Sequence, residues 1–246
     1  MKPIVFFEDL GQHRSYKEIW DIQESLLQQN VKLKSAQFTD QSDQLSSNKF
    51  DKKTTNHLLF VEHSPVYTLG KSGNEKHVLI SEQKRVEKGI EFFKINRGGD
   101  ITFHGPGQLV GYPILDLDYF KTDLGWYLRS LEEVIILTMD EYGLTAQRSK
   151  GETGVWLDAD VPGKERKICA MGIRCSRWIT MHGFAFNVNT DLQYFNYIIP
   201  CGIQHKQVTS LQKELGRSVD LNEIKGKLIK HFEVVFGAEV RKKVVS

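Results

Sequence analysis

The segment from Arg97 to Gln108 carries the most concentrated signal for chemistry in this 246-residue chain. It reads Arg-Gly-Gly-Asp-Ile-Thr-Phe-His-Gly-Pro-Gly-Gln, so four of its twelve residues are glycine, although the whole chain holds only 20. Glycine has no Cβ and therefore lets backbone turn sharply or approach a ligand closely. We predict a substrate-binding loop that presents Arg97, Thr102, His104 and Gln108. An ordinary Gly-rich connection is the alternative.

Cys201 is the candidate nucleophile. It lies between Pro200 and Gly202, so the thiol is expected at a turn that a substrate can reach. A free thiol has a pKa of about 8.5, and an efficient nucleophile needs a nearby cation or backbone N–H groups to lower it. Cys169 lies in an apolar run and is expected to be buried in a strand, and Cys175 has no assigned role.

Spacing alone does not select the group that would activate this thiol. Lys167 could supply a fixed positive charge, and histidine titrates near neutral pH, so any of several histidines could act as a base. Each of these side chains could equally be a structural hydrogen-bonding group or a solvated surface charge. The candidate bases are His63, His104, His182 and His205.

Composition excludes several other classes of protein. The three cysteines form no CxxC, and the spacing of Cys169, Cys175 and His182 matches no usual zinc site, so we expect no metal and a reducing, cytoplasmic location. The net charge of +2 gives no reason to expect nucleic acid. Residues 1–10 do not resemble a signal peptide, and no apolar run reaches the length of a membrane span.

The remaining pattern predicts an α+β fold with a mixed or antiparallel sheet flanked by helices, and the length allows one domain or two small ones. A polar stretch near 38–56 is expected to be a solvated insertion. Helices are expected at 16–29, 123–143, 210–215 and 221–235, with Ser15, Asp123 and Asp220 as N-caps. Strands are expected at 4–8, 57–62, 65–69, 77–80, 90–95, 109–117, 144–148, 153–157, 166–174, 177–181 and 183–189.

Six segments together resemble the lipoyl(octanoyl) transferase family, the octanoyl-acyl-carrier-protein:protein N-octanoyltransferases. They occur in the family's order and run from about 62 to 203, so the resemblance covers most of the chain. The segments are 62–70, 97–108 with Tyr112-Pro113, Gly154-Val155-Trp156, 167–174, His182-Gly183-Phe184 with Asn187, and Pro200-Cys201-Gly202-Ile203.

The resemblance implies that residues 1–246 form a single α+β domain with the fold of lipoate–protein and biotin–protein ligases. It also assigns roles to individual residues. Cys201 would be the catalytic nucleophile that forms an acyl-thioester, and Lys167 would lower its pKa. Three segments would line the acyl pocket. The implied substrate-binding residues are Arg97, Gly98, Gly99, Asp100, Ile101, Thr102, Phe103, His104, Ala170, Met171, Gly172, Gly183, Phe184 and Ala185.

The resemblance also implies the partners. Octanoyl-acyl carrier protein would be the donor. The acceptors would be lipoyl domains of 2-oxoacid dehydrogenase complexes and the glycine cleavage H protein, modified in the first step of protein lipoylation. No ATP or cofactor is needed, because one thioester replaces another. A monomer is expected, since two protein partners must reach one cleft in turn. Either Lys167 or His104 could pass on the proton of the incoming lysine.

Some features depart from the family pattern. The insertion near 38–56 and the loop at 158–165 look additional, and Cys169 and Met171 differ from the residues expected in their strand, which leaves the preferred acyl length open. Two other functions remain. An ATP-dependent lipoate–protein ligase would need no nucleophilic cysteine, and a non-catalytic binding module for carrier or lipoyl domains would need neither Lys167 nor Cys201.

Overall fold

The computed structural model describes residues 1–40, 53–199 and 207–243, and the side chains of all of these except 37–40. The helices are α1 (Tyr16–Asp40), α2 (Glu82–Glu87), α3 (Leu124–Asp140), α4 (Leu211–Leu215) and α5 (Leu221–Phe236). The strands are β1 (Ile4–Asp9), β2 (Asn56–Val61), β3 (Val66–Leu69), β4 (Glu91–Lys94), β5 (Ile101–His104), β6 (Gln108–Ile114), β7 (Ala146–Arg148), β8 (Val155–Leu157), β9 (Arg166–Ser176), β10 (Ile179–Asn187), β11 (Gln207–Val208) and β12 (Glu239–Lys242). Short 3₁₀ helices cover Glu75–His77, Leu117–Tyr119 and Leu192–Tyr197.

Within the described residues the strands form two sheets. The larger is a nine-stranded mixed sheet with the order β12-β1-β2-β6-β10-β9-β8-β7, and β11 pairs with β9. Its centre is antiparallel, while β1 pairs in parallel with both β2 and β12. The smaller sheet has the order β4-β3-β5. The predicted α+β fold with a mixed sheet flanked by helices is therefore confirmed.

The large sheet is buried on both faces, and the two-residue period of its strands shows how. In β2, Leu58 and Phe60 pack into the core that contains α3 and α5, whereas Leu59 and Val61 pack into the core that contains α1. Alternate residues of a strand point to opposite faces, so one strand contributes to both cores. Burial on both faces gives β2 and β6 continuous buried runs rather than an alternating polar pattern.

The predicted N-caps at Asp123 and Asp220 are confirmed. The Asp123 carboxylate accepts from the Trp126 N–H at 3.0 Å, and Asp220 accepts from the Asn222 N–H at 2.9 Å. Helix α1 is longer than predicted because contacts distant in sequence stabilise its second half. Lys34 forms a buried ion pair with Asp116 at 2.7 Å.

Other predicted elements differ from those in the structure. Residues 75–77 form a 3₁₀ helix where part of a strand at 77–80 was expected, and one strand, β10, replaces the two expected at 177–181 and 183–189. Most of the predicted insertion at 38–56 lies outside the described residues, which resume at 53. In the described part of the chain, no helix is both long and apolar enough to cross a membrane.

Candidate active site

A cavity of about 530 Å³ opens between the two sheets. It is bounded by β5, β6, β9 and β10, with contributions from α1, from the 3₁₀ helix at 75–77 and from three loops. Twelve of the fourteen residues expected at the acyl pocket line it, and Lys167 also lies in its wall. The twelve are Arg97, Gly99, Asp100, Ile101, Thr102, His104, Ala170, Met171, Gly172, Gly183, Phe184 and Ala185. Cys201 lies outside the described residues.

Gly98 and Phe103 do not line the cavity. Phe103 lies in β5, where alternate side chains point to opposite faces, and its ring stacks on Tyr194 with centroids 4.5 Å apart. Gly98 packs its backbone against β9, because its N–H donates to the Ile173 carbonyl at 3.0 Å. Both residues therefore support the wall from behind.

The segment from 97 to 108 is not a continuous loop. Strand β5 occupies its centre and pairs with β3, and turns lie on either side. Gly99 and Gly107 have φ of 87° and 75°, which side chains other than glycine rarely adopt. A Cβ at Gly107 would also lie 2.5 Å from the Asn189 carbonyl oxygen. The glycines thus serve tight turns and close backbone packing, and β5 presents the substrate-facing side chains.

A chain of hydrogen bonds fixes Arg97 at one end of the cavity. Its guanidinium donates to the Thr68 carbonyl at 2.7 Å and to Thr68 Oγ1 at 3.0 Å. The Thr68 hydroxyl lies 3.4 Å from His104 Nε2, and His104 Nδ1 lies 2.8 Å from Gln108 Oε1. Gln108 Nε2 then donates to Asn187 Oδ1 at 2.9 Å. The chain crosses from the small sheet to β10 and holds the two together.

This chain also fixes the tautomer of His104. An amide oxygen can only accept, so Nδ1 carries the proton and Nε2 accepts from the Thr68 hydroxyl. Burial and the nearby His63 and Arg97 hold the pKa of His104 well below its usual value. Both ring nitrogens are occupied, so the structure does not support His104 as a base.

Two further buried histidines are also held neutral. Burial lowers the pKa of His63 to about 4 and that of His182 to about 3. His63 Nδ1 donates to the Arg14 carbonyl at 3.3 Å, and Nε2 accepts from the Tyr112 hydroxyl at 2.8 Å. His182 has φ of 62°, and its Nδ1 has no hydrogen-bond partner among the described residues. His205 lies outside the described residues.

Lys167 is positioned by its neighbours on β8. Its Nζ lies 4.5 Å from the centroid of the Trp156 ring, which is a cation–π contact. Gly154 approaches the same side chain, since a Cβ there would lie 3.6 Å from Lys167 Cε. The Gly154 N–H donates to Glu132 Oε1 at 3.0 Å, and Glu132 is fully buried. The motif Gly154-Val155-Trp156 thus forms a support for the lysine.

The structure adds wall residues that sequence patterns did not identify. Tyr16 enters from the start of α1 and stacks on His104, with centroids 5.9 Å apart. His77 enters from the 3₁₀ helix at 75–77, and its Nδ1 bonds to the Asp100 carboxylate. The loop at 151–153 closes another side. None of these wall residues carries a local sequence signal that distinguishes it.

The other two cysteines do not offer a reactive thiol. Cys169 is fully buried in β9, as expected, and burial raises its pKa well above the usual value. Burial also raises the pKa of Cys175. Across the three described ranges, no group of three or more His, Cys, Asp or Glu side chains is arranged to hold a metal ion.

Comparison with solved structures defines the class. The chain superimposes with a TM-score of 0.67 on a structure reported as a bipartite lipoate protein ligase with its E2 lipoyl domain from Thermoplasma acidophilum, at 16% identity, covering 100% of this chain and 88% of that one. A lipoate-protein ligase A bound with ATP gives 0.66 at 15% identity, covering 100% and 90%. A biotin protein ligase from Aquifex aeolicus in complex with biotin and ATP gives 0.53 at 14% identity, covering 94% and 70%. These likenesses establish the lipoate and biotin ligase fold.

Sequence comparison goes further. Residues 15–233 match the lipoyl protein ligase A/B catalytic domain. The octanoyltransferase of Christiangramia forsetii is 56% identical over 229 residues, covering 93% of this chain and 94% of its own. That of Flavobacterium johnsoniae is 56% identical over 241 residues, covering 98% and 100%. The chain belongs to the lipoyl protein ligase A/B catalytic domain family, and within it to the octanoyltransferases.

Proposed function

We propose that this protein transfers an octanoyl group from octanoyl-acyl carrier protein to a lysine of a lipoyl domain, through an acyl-thioester on Cys201. The observation that carries this proposal is the joint placement of Lys167 and twelve predicted acyl-pocket residues around one cavity, in a chain with octanoyltransferase relatives at 56% identity. The described chain also reaches the cavity wall just before Cys201. The Ile199 N–H donates to the carbonyl of the wall residue His77 at 2.8 Å.

The first half-reaction exchanges one thioester for another. The Cys201 thiolate attacks the thioester carbonyl of the donor, a C–S bond to the enzyme forms, and the C–S bond to the carrier's thiol breaks. The bond energies nearly cancel, so no ATP is required. The Lys167 ammonium favours the thiolate over the thiol, and each unit of pKa depression corresponds to about 1.4 kcal/mol. The Trp156 ring keeps that ammonium at the cavity wall.

The second half-reaction forms an amide. The lysine amine of the lipoyl domain attacks the acyl-enzyme, the C–N bond forms, and the Cys201 thiolate leaves. This step runs downhill because an amide is more stable than a thioester. The apolar wall, with Ile101, Val110 and Phe184, is suited to an alkyl chain. Backbone N–H groups of the Gly-rich segments are the candidates for stabilising the oxyanion.

An ATP-dependent ligase is the competing function, because the fold is shared with lipoate-protein ligase A bound with ATP. Intact-protein mass spectrometry after mixing with octanoyl-acyl carrier protein, without ATP, separates the two. We expect a hydroxylamine-labile octanoyl adduct on the wild type and none on Cys201→Ala. Cys175→Ala is the matched control, a half-buried thiol that should keep the adduct.

Other outcomes would overturn the proposal. Absence of an adduct, together with lipoyl-domain modification only when octanoate and ATP are added, would establish the ligase. A Cys201→Ala variant that retains biological output and merely binds its partners would establish a non-catalytic binding module.

A further inference from the structure

His77 and Asp100 form a paired imidazole and carboxylate on the cavity wall. His77 Nδ1 bonds to one carboxylate oxygen of Asp100, and the other oxygen accepts from the Asn74 N–H at 3.2 Å. Both side chains line the cavity, and the side chain of His77 is 25% exposed and that of Asp100 is 10% exposed. Among the wall histidines that the structure describes, this is the one paired with a carboxylate.

The backbone around His77 is held from both sides. Its N–H donates to the Asn74 carbonyl at 2.9 Å, and its carbonyl accepts from the Ile199 N–H at 2.8 Å. Val78 forms a β-bridge with Ile198. Gly73 gives the carboxylate room, because a Cβ there would lie 2.9 Å from Asp100 Oδ1. The pair is therefore a preorganised feature of the wall.

The pairing determines which nitrogen of His77 is basic. A carboxylate only accepts, so Nδ1 carries a proton, and in the neutral ring Nε2 is the nitrogen with the lone pair. Among the described residues, the side-chain hydrogen bond of this ring is the one between Nδ1 and Asp100. His104 and His63 differ because both of their nitrogens are engaged. The Lys167 ammonium lies over the Trp156 ring, 4.5 Å from its centroid.

We propose that His77, oriented by Asp100, is the general base that accepts a proton from the attacking lysine nitrogen in amide formation. This inference rests on the proposed function, which does not say which group accepts the proton of the attacking lysine. The pairing of an imidazole with a carboxylate in the wall of the cavity carries it.

The proton balance fixes the step. The acceptor lysine first loses one proton from its ammonium to solvent, and the amine then attacks the thioester carbonyl. The nitrogen in the tetrahedral adduct is positively charged and far more acidic than a free alkylammonium. His77 Nε2 takes this second proton, the C–S bond breaks, and the thiolate leaves with the bonding electrons. The imidazolium, paired with Asp100, then returns its proton to the thiolate or to solvent.

The first half-reaction needs no such base, because a thiolate attacks and a thiolate leaves. The two half-reactions should therefore respond differently to loss of His77. For His77→Gln we expect acyl-enzyme formation from octanoyl-acyl carrier protein to stay within about twofold of the wild type. Discharge of the acyl-enzyme to the lipoyl domain should slow by about 10². Both rates are measured by quenched intact-protein mass spectrometry.

Two further variants separate a base from a structural residue. In Asp100→Asn the side-chain amide can donate to Nδ1, which moves the proton to Nε2 and should slow discharge alone. In His77→Ala, added imidazole should restore discharge in proportion to its concentration. His231→Gln is the matched control, because His231 also pairs with a carboxylate, Glu141, at 2.7 Å, but does not line the cavity. It should leave both half-reactions unchanged.

Wild-type discharge rates in His77→Gln, or equal slowing of both half-reactions without imidazole rescue, would overturn the assignment. Failure of the proposed function gives a different result. If the wild-type protein transfers octanoyl without forming an acyl-enzyme, the covalent route through Cys201 is wrong. His77 is then tested by comparing the overall transfer rate of His77→Gln with that of the wild type. An unchanged rate excludes His77 as the base.

Discussion

Lys167 Nζ lies 4.5 Å from the centroid of the Trp156 ring, across the pairing of β8 with β9. Their backbones are partners in the strand register, so the sheet itself sets this contact. Trp156 is only 1% exposed and cannot move away without disturbing the core. A buried aromatic face thus holds a cation in the wall of a cavity lined with acyl-pocket residues.

We expect Trp156→Phe to weaken the hold on Lys167 while keeping an aromatic ring. Cation–π contacts contribute about 0.5–2 kcal/mol and are strongest with Trp, so the rate of iodoacetamide labelling of Cys201 at neutral pH should fall severalfold.

Lys167→Ala should shift the labelling profile of Cys201 to higher pH, because the thiol loses its positive neighbour. Urea unfolding of each variant controls for packing. Labelling profiles identical to the wild type in both variants would exclude an activating role for Lys167.

Glu132 should contribute strongly to stability. It is fully buried, its carboxylate accepts from Arg129 at 2.6 Å and from Arg148 at 3.0 Å, and it also accepts from the Gly154 N–H. Glu132→Ala leaves two guanidinium groups and a buried N–H without this partner. Because both arginines are partly exposed, we expect a loss of about 2–3 kcal/mol in the free energy of unfolding.

Glu133→Gln provides the comparison for that prediction. Glu133 pairs with Arg148 at 2.6 Å but its side chain is 39% exposed, so its loss should cost less than about 1 kcal/mol. Equal costs in urea denaturation for the two variants would show that burial does not decide the contribution of this cluster.

Gly183 is required by the close pairing of β10 with β6. A Cβ at this position would lie 2.2 Å from the Gly111 carbonyl oxygen and 2.6 Å from Pro113 Cδ. Gly183→Ala should therefore separate the strands, lower the thermal midpoint by several degrees and distort the cavity. Gly226→Ala is the control, because a Cβ there meets nothing within 4 Å and Gly226 lies inside α5. That variant should gain up to about 1 kcal/mol. A neutral Gly183→Ala would contradict the packing argument.

The parts of the fold that could be predicted are those with local causes. Helix α3 has a capping aspartate and an apolar stripe within one segment, and its predicted start is confirmed. The second half of α1 depends on Lys34 meeting Asp116, which is 82 residues away, so the segment itself gives no sign of it. Strand β5 was missed because glycines surround four residues whose partner strand, β3, lies far upstream in the chain.

In the candidate site, too, some residues could be predicted from local motifs and others could not. Most of the predicted acyl-pocket residues line the cavity because their motifs lie on strands that face it. Tyr16 and His77 come from elements without a matching motif, and only the packing of α1 and of the 3₁₀ helix against the sheets brings them there. The pairing of His77 with Asp100 joins two segments that the pattern treated separately. The catalytic roles of Cys201 and Lys167 remain predictions.

The buried histidines should make the protein less stable in mild acid. The pKa of His63 is lowered to about 4, below its value of about 6.5 in an unfolded chain. Below pH 6.5 the unfolded state therefore binds a proton that the folded state does not, and the free energy of unfolding falls as the pH drops toward 4. The contribution of His63 is fully present above pH 6.5. From pH 7.5 to 5.5 we expect the contribution of His63 to the free energy of unfolding to decrease by about 1 kcal/mol.

Urea denaturation at pH 7.5 and 5.5 tests this prediction. His63→Gln removes the titrating group, so the difference in free energy of unfolding between the two pH values should shrink by about 1 kcal/mol relative to wild type. Tyr112→Phe is the control, because it removes the hydrogen bond to His63 Nε2 but keeps the imidazole. It should lower stability at both pH values and preserve the difference between them. If His63→Gln keeps the full wild-type difference, the acid sensitivity arises from other groups, and the buried neutral state assigned to His63 is wrong.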